Sequence, residues 1–306
     1  MDHGMGESFV SLMTSNKQLR RTISAKEGNS IQRYTFLISR FLNLQADFAS
    51  IATMQSALLS KLVQHCNRTL KIGSVEDWPG AVNGLQLENN GKVTRMAAAV
   101  DATFSTAQKA VDEGADLLIV HHGLFWNKTH PWTGRRYAFI KFMLDHNLAV
   151  YSAHLPLDIH PELGNNSQLC QALGVQRTKP FFKDKGRELG LRFVKTMTRD
   201  SLVEKCTSIL GKAPTLLPGG PERCRHIGVL TGGAGAECTI AAREGVDTFI
   251  TGEGPHWTHG LAEELGINIL YGGHYATETF GVKALASHLS SHFKLPWSFV
   301  DHPSGL

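Results

Sequence analysis

Two adjacent histidines, His121 and His122, follow an apolar run and are the first residues of this sequence that could do chemistry. The run from Leu117 to Val120 has four aliphatic residues, which is typical of a buried central strand, and open α/β sheets bind ligands at the carboxyl ends of such strands. Neighbouring side chains on a strand point to opposite faces, so we expect the strand to give way to a loop here, which Gly123 permits. The alternative is one surface histidine and one buried structural histidine.

Imidazole and carboxylate side chains also follow two later predicted strands. The strand predicted over 148–153 stops at His154, with Asp158 four residues on, and a strand in the second half stops at His274, with Glu278 four residues on. If a helix opens at His274, the i, i+4 spacing places both side chains on one face. Such ligands, without cysteine, suit zinc, iron, manganese or nickel. The predicted metal ligands are His121, His122, Asp158, His274 and Glu278.

The number of these ligands indicates how many ions they hold. Five ligands exceed what one tetrahedral ion needs, whereas a carboxylate that bridges two ions would use them all. We therefore predict two divalent metal ions per chain. Taken alone, a His-x-x-x-Glu spacing is more often a solvated helix face, and the combination with the adjacent histidines favours the metal site.

The elements that must position these residues occur twice. The pattern over 95–119 recurs over 225–250, and at the offset of 131 residues that relates Glu113 to Glu244 the polar ends can be compared. His122 then falls opposite Glu253, and a second alignment places Asp158 opposite Glu278. Chance similarity of two βαβ units explains the shared apolar residues but not the shared polar ends. The sequence therefore predicts an α/β protein with two related units, the first with strands over 93–101, 117–120 and 148–153 and helices over 105–113 and 137–146.

Three further residues are candidates for proton transfer. His154 could line the pocket as a proton-transfer or ligand-positioning group, or be a structural histidine. Glu253 and His256 follow the strand that mirrors the one before His121, so we expect them to face the same cleft. The turn at 231–235 resembles a phosphate-binding turn, but a tight strand-to-helix connection is favoured because no P-loop lysine accompanies it. The predicted catalytic residues are Glu253, His154 and His256.

Composition excludes several classes of protein. The chain has 306 residues, of which 42% are hydrophobic and 19% charged, and these values are typical of a globular protein. No apolar run reaches the roughly 18 residues of a membrane span. A net charge of +4 without a basic block gives nucleic-acid binding little support. Five scattered cysteines without a CxxC spacing indicate free thiols and a cytoplasmic location.

The chain divides into an extension and two halves. Residues 1–53 are polar and lack a sustained period, so we predict a disordered extension or a mis-assigned start, with Met54 as the true beginning. The first α/β half is predicted over 54–180 and the second over 181–306. The segment 274–306 could pack back on the first half.

Four stretches resemble the motifs of the NIF-three-like family, whose members are also described as GTP cyclohydrolase I type 2 homologues. They are HHGLFW, AHLPLDIHPELGNN, TGEGPHW and GGHYATETFGVKAL, in that order. The resemblance implies two similar, interlinked α/β domains, a dinuclear metal centre in the cleft between them, and a toroidal homohexamer. The family's metal ligands fall on the five residues already named. The gap from Gly174 to Glu188 is too short for an inserted domain, so the chain resembles the compact form.

Two classes of function remain. The first is a metal-dependent hydrolase in which activated water attacks an electrophilic carbon of a small molecule. The resemblance implies that this molecule is a nucleotide, GTP, whose guanine C8 would leave as formate. The alternative is a regulatory or scaffold protein whose metal centre is structural.

Overall fold

A computed structural model describes residues 55–126, 130–184 and 186–306. These residues form a mixed α/β fold, as predicted. The predictions for residues 1–53 and for a start at Met54 lie outside the described residues. In chain order the elements are β1 (Ala57–Leu58), α1 (Leu59–Thr69), β2 (Gly84–Leu87), β3 (Lys92–Val93), β4 (Met96–Asp101), α2 (Phe104–Asp112), β5 (Leu117–His122), α3 (Gly134–Asp145), β6 (Ala149–Ser152), α4 (Leu155–Asp158), α5 (Asn165–Ala172), β7 (Lys179–Asp184), β8 (Arg187–Thr198), α6 (Arg199–Leu210), β9 (Thr215–Pro218), β10 (Arg223–Val229), α7 (Cys238–Arg243), β11 (Thr248–Thr251), α8 (Thr258–Leu265), β12 (Asn268–Tyr271), α9 (His274–Phe293) and β13 (Trp297–Phe299).

A five-stranded sheet carries the adjacent histidines. Its order is β13-β4-β5-β6-β2, and all neighbours are parallel except β6 and β2. Helices α2 and α3 cover one face, where Met143 packs with Val120. Helices α1 and α9 cover the other face, where Leu285 packs with Ile119. Because both faces are buried, the strand β5 is a continuous apolar run.

A six-stranded sheet lies in the second half of the chain. Its order is β7-β8-β10-β11-β12-β9, with β10, β11 and β12 parallel and the other neighbours antiparallel. Helices α7 and α8 cover one face, where Ala262 packs with Phe249. Helices α5 and α6 cover the other, where Leu169 and Leu202 pack with Ile250. A small ribbon of β1 and β3 is the third sheet of the described residues.

Each large sheet is completed by an element from the other half of the chain. Helix α5 packs on the six-stranded sheet, whereas α9 packs on the five-stranded sheet and β13 pairs with β4 through Trp297 and Met96. Residues 55–306 accordingly form one compact unit. Within the described part of the chain, no helix is both long enough and apolar enough to cross a membrane.

Two strand predictions need correction. The strand predicted over 93–101 is broken into β3 and β4, because the amides of Thr94 and Arg95 donate to the carboxylate of Asp116 instead of to a neighbouring strand. The expected change from strand to loop at the histidines is also wrong, since β5 continues through His121 and His122. Their ring centroids still lie 4.7 Å apart. Both side chains reach past the end of the sheet towards the carboxylate of Glu278.

The cysteines contribute to packing. All five are free and buried, which agrees with their scattered positions in the sequence. Burial raises the pKa of Cys66, Cys170 and Cys206 to about 12. These thiols therefore stay protonated and unreactive near neutral pH.

Candidate metal centre

The five residues predicted to bind metal meet beyond the ends of β5 and β12. Glu278 lies in the middle, with Oε1 3.5 Å from Nε2 of His121 and 3.2 Å from Nε2 of His274. Its Oε2 lies 3.3 Å from Nε2 of His122. Asp158 approaches His121 with Oδ2 3.4 Å from the same Nε2 atom. Helix α9 begins at His274, so the i, i+4 spacing places His274 and Glu278 on one face as predicted.

Four imidazoles at this place are each fixed by a hydrogen bond from Nδ1. Such a bond selects the tautomer in which the lone pair is on Nε2, and it is the usual arrangement of histidines that bind metal. The Nδ1 acceptors are the carbonyl oxygen of Ala153 for His121 (2.9 Å), Asp101 for His122 (2.8 Å), Asp77 for His154 (2.7 Å) and Glu253 for His274 (2.8 Å).

Two buried atoms at the centre show that these residues fit a cation. The side chains of His121 and Glu278 are at most 4% exposed, yet Nε2 of His121 and Oε2 of Glu278 have no hydrogen-bond partner among the described residues. Buried polar atoms are almost always hydrogen-bonded. A metal ion could satisfy a buried imidazole lone pair and a buried carboxylate oxygen of this kind.

The negative charges around the centre also favour a bound cation. Burial lowers the pKa of His121, but the negative charges of Asp158 and Glu278 raise it more, to about 10. Burial likewise lowers the pKa of His274, and Glu278 and Glu253 together raise it to about 9. A proton and a metal ion compete for the same lone pair. The negative field that retains a proton on these imidazoles therefore also favours a divalent cation.

The donor atoms form two groups that could each hold a metal ion. Within each group the ligand atoms lie within 4.8 Å of one another. His122 belongs to both groups, but its Nδ1 is bonded to Asp101 and only Nε2 is left, so it could serve an ion in one of them. The groups are His121, His122 and His154, and His122, His274 and Glu278.

Asp158 is held by residues that sequence reasoning missed. Nδ2 of Asn165 donates to Oδ1 of Asp158 at 2.8 Å, while Oδ1 of Asn165 accepts from the amide of Gly281 on α9. The hydroxyl of Thr231 lies 3.4 Å from the same carboxylate oxygen. Asn165 is fully buried and joins the ligand segment to the helix that carries Glu278. The only signal for it was its place in the AHLPLDIHPELGNN motif.

The glycine-rich turn at 231–235 supports the centre from below and is a tight connection, as favoured from the sequence. The carbonyl of Gly232 accepts from the amides of Gly252 and Glu253, and its amide donates to Thr277. The amide of Gly235 donates to the carbonyl of Glu253. The amides of Gly232 and Gly235 therefore already have partners within the protein and are not available to a phosphate.

The three residues predicted to transfer protons lie in different surroundings. His154 lines the cavity in front of the centre, with its ring 4.9 Å from that of His121. Glu253 lies behind His274, and its only contact with the centre among the described residues is with Nδ1 of that imidazole. His256 is exposed and does not line the cavity. The proton-transfer roles of Glu253 and His256 stay predictions.

A cavity of about 710 Å³ opens in front of the centre. Its lining includes His122, His154, His274, Asp158 and Glu278 of the centre. A second part of the lining is apolar and aromatic. Its residues are Trp78, Trp126, Leu155, Phe182, Leu189, Leu230 and Ile240.

The position of Glu253 leads to a test of its role. Because Glu253 fixes the ring of His274, Glu253→Ala is expected to weaken metal binding by roughly 10- to 100-fold. Glu253→Gln retains an oxygen that can accept from Nδ1 and should restore most of the affinity. Metal affinity is measured by competition with a chelator. Wild-type affinity in Glu253→Ala would show that Glu253 does not position the ligand.

The chain is similar to known proteins over almost all of the described residues. It matches the Duf34/NIF3 family (NGG1p interacting factor 3) over residues 57–303. A relative from Deinococcus radiodurans, described as GTP cyclohydrolase 1 type 2 homolog, is 36% identical over 250 residues, which are 80% of this chain and 94% of that protein. A relative from Halobacterium salinarum with the same description is 37% identical over 254 residues, 81% of this chain and 99% of that protein. The crystal structure of TTHA1606 from Thermus thermophilus is 37% identical and has a TM-score of 0.75, with 82% of this chain and 100% of that chain covered.

Proposed function

This chain belongs to the Duf34/NIF3 family, and we propose that it is a metal-dependent hydrolase with two divalent ions per chain. The observation that carries the proposal is the set of four imidazoles fixed through Nδ1 around the buried carboxylate of Glu278. Three of them have Nε2 within 3.5 Å of that carboxylate. A cavity in front of the centre leaves room for a substrate.

Two ions are favoured over one by the number of donors, because four imidazoles with Asp158 and Glu278 exceed what one tetrahedral ion needs. Glu278 presents one oxygen towards His274 and the other towards His122. A carboxylate in this position could bridge two ions. Imidazole and carboxylate ligands accept zinc, iron, manganese or nickel.

We also infer that the two sheets arose from an internal duplication. Asp116 accepts from the amides of Thr94 and Arg95, and Asp247, 131 residues later, accepts from those of Arg225 and His226. Each aspartate precedes the middle strand of three parallel neighbours, which are β4, β5 and β6 in one sheet and β10, β11 and β12 in the other. The same hydrogen bonds therefore join the same pair of strands in both units, which chance similarity does not explain.

The roles of the residues follow from their positions. The bound ions would supply Lewis acidity and an activated water. Asp158 offers a carboxylate oxygen near His121, so the ion on that side would be held by Asp158 in place of His154. Nε2 of His154 would then be available to accept a proton, and Asp77 stabilises the imidazolium that forms because it accepts from Nδ1 at 2.7 Å.

The cavity indicates which part of the substrate lies at the centre. Trp78 and Trp126 can contact a flat ring. The described lining residues include the carboxylates of Asp101, Asp184 and Glu237 and no lysine or arginine. We therefore propose that a heterocyclic ring, as in the guanine of GTP, occupies this part of the cavity. Hydrolysis of the ring would release formate.

The proposal includes assembly and location. The toroidal homohexamer and the cytoplasmic location stay predictions. All of the proposed ligands come from one chain, so a second copy is not needed to complete the centre.

The test is hydrolysis by protein loaded with zinc, iron, manganese or nickel. GTP and guanosine are supplied, and formate and ring-opened products are measured. Turnover is expected with at least one ion, and His154→Gln should lower it by about 10²- to 10⁴-fold at unchanged metal content, because it removes the proton acceptor. Absence of product from fully loaded wild-type protein with every ion would favour the scaffold alternative. Loss of metal in His154→Gln would make His154 a ligand.

A further inference from the structure

Three imidazoles meet outside the candidate metal centre, where helix α1 crosses the last turns of α9. His65 of α1 has its Nε2 2.9 Å from Nε2 of His288. The ring of His292, one turn further along α9, stacks on that of His65 with centroids 4.2 Å apart. His65 and His288 are half-buried and His292 is exposed. From His274 to His288 the helix rises about 21 Å, so this cluster is separate from the candidate centre.

The contact between His65 and His288 brings two nitrogens together that could share a cation. With Nε2 atoms 2.9 Å apart, one imidazole donates its proton to the lone pair of the other; if both rings carry their proton on Nδ1 instead, both Nε2 lone pairs face the same point. Burial lowers the pKa of His65, and the charges of His292, His288 and Arg68 lower it further. The charged form of His65 is thus disfavoured, and a metal ion that binds there competes with the one proton of the hydrogen bond and not with a second one.

The chemistry of the cluster selects the kind of cation. Imidazoles suit zinc, copper and nickel, whereas magnesium and calcium prefer oxygen ligands. His288 and His292 have the i, i+4 spacing that places two side chains on one face of a helix. Because His292 is exposed, its side chain can rotate so that a ring nitrogen joins the other two.

We propose that His65, His288 and His292 form a second metal site, for one transition-metal ion such as zinc. The ion replaces the shared proton between His65 and His288. It joins α1 to the C-terminal part of α9, two helices that are far apart in the chain but pack through Leu62, Cys66 and Leu289. A bound ion therefore stabilises the folded chain, because the unfolded chain does not hold the three imidazoles together.

Zinc binding to the full chain tests this site. Bound zinc is counted by equilibrium dialysis for wild-type protein, His288→Ala and His292→Ala, with the exposed His226→Ala as matched control. We expect His288→Ala to bind one equivalent less than wild type and His292→Ala to bind that equivalent more weakly, while His226→Ala is unchanged. Zinc should also raise the thermal midpoint of His288→Ala less than it raises that of the wild-type protein.

The same measurement in a Glu278→Gln variant separates zinc bound at the candidate metal centre from zinc bound at the proposed second site. In protein that carries Glu278→Gln, the zinc that remains bound should be lost on adding His288→Ala. An unchanged zinc count in His288→Ala, in either background, would overturn the proposed site and leave only a hydrogen bond between two imidazoles. Failure of the hydrolase test would not affect this result, because no residue is shared.

Discussion

Glu278→Gln is expected to weaken metal binding by more than about 100-fold. This is a larger loss than follows from removing a residue that only positions a ligand. The carboxylate of Glu278 is in contact with Nε2 of His121, His122 and His274, and it is the only group of the described chain that contacts all three. Glutamine keeps the size of the side chain but removes the charge that offsets the ions. Metal content after dialysis against a chelator measures the effect.

The matched control for this change is Glu263→Gln. Glu263 is an exposed glutamate of α8, 66% accessible, whose weak contact with His259 is on the surface, so metal content should stay at the wild-type value. Asp158→Asn should resemble Glu278→Gln, since its oxygen lies beside Nε2 of His121. If Glu278→Gln and Asp158→Asn both retained two ions per chain, the dinuclear centre as assigned would be wrong.

Gly232→Ala is expected to lower the free energy of unfolding by roughly 2–4 kcal/mol and to disturb the metal centre as well. Gly232 has a φ of 77°, which an alanine adopts only with strain. A Cβ atom there would also clash with Oε1 of Glu278. The turn cannot move away, because its carbonyl accepts from the amides of Gly252 and Glu253. Urea denaturation and metal content are the measurements.

The neighbouring Gly233→Ala is the control for that change. Gly233 has a negative φ of −95°, and a Cβ atom would lie 3.6 Å from the ring of His274, an ordinary contact. Stability and metal binding should therefore stay close to wild type. Equal losses in Gly232→Ala and Gly233→Ala would mean that the turn is sensitive to any side chain, and that the contact with Glu278 is not the cause.

Residue type and local spacing were sufficient to predict two sets of candidate ligands, His121, His122 and Asp158 at the end of one sheet and His274 with Glu278 on one helix face, whereas the meeting of the two sets was decided by how the two different sheets pack. The apolar run before His121 had to be a buried strand, and parallel strands of one sheet end at the same edge. The helical spacing of His274 and Glu278 placed both on one face before α9 was known. Such arguments work because they depend on periodicity within a few residues.

Tertiary structure alone decided how the ligands are held. Asp77 accepts from His154, which is 77 residues away, and Asn165 joins Asp158 to Gly281, 116 residues further along. Asp77 and Asn165 have no periodic relation to the ligands in the sequence, so no spacing could indicate them. Glu253 was expected in the cleft from its alignment with His122, but it lies behind His274. The alternation of side chains along a strand stops where the strand ends. The direction of a side chain just beyond that end therefore depends on the distant segments of the chain that pack around it.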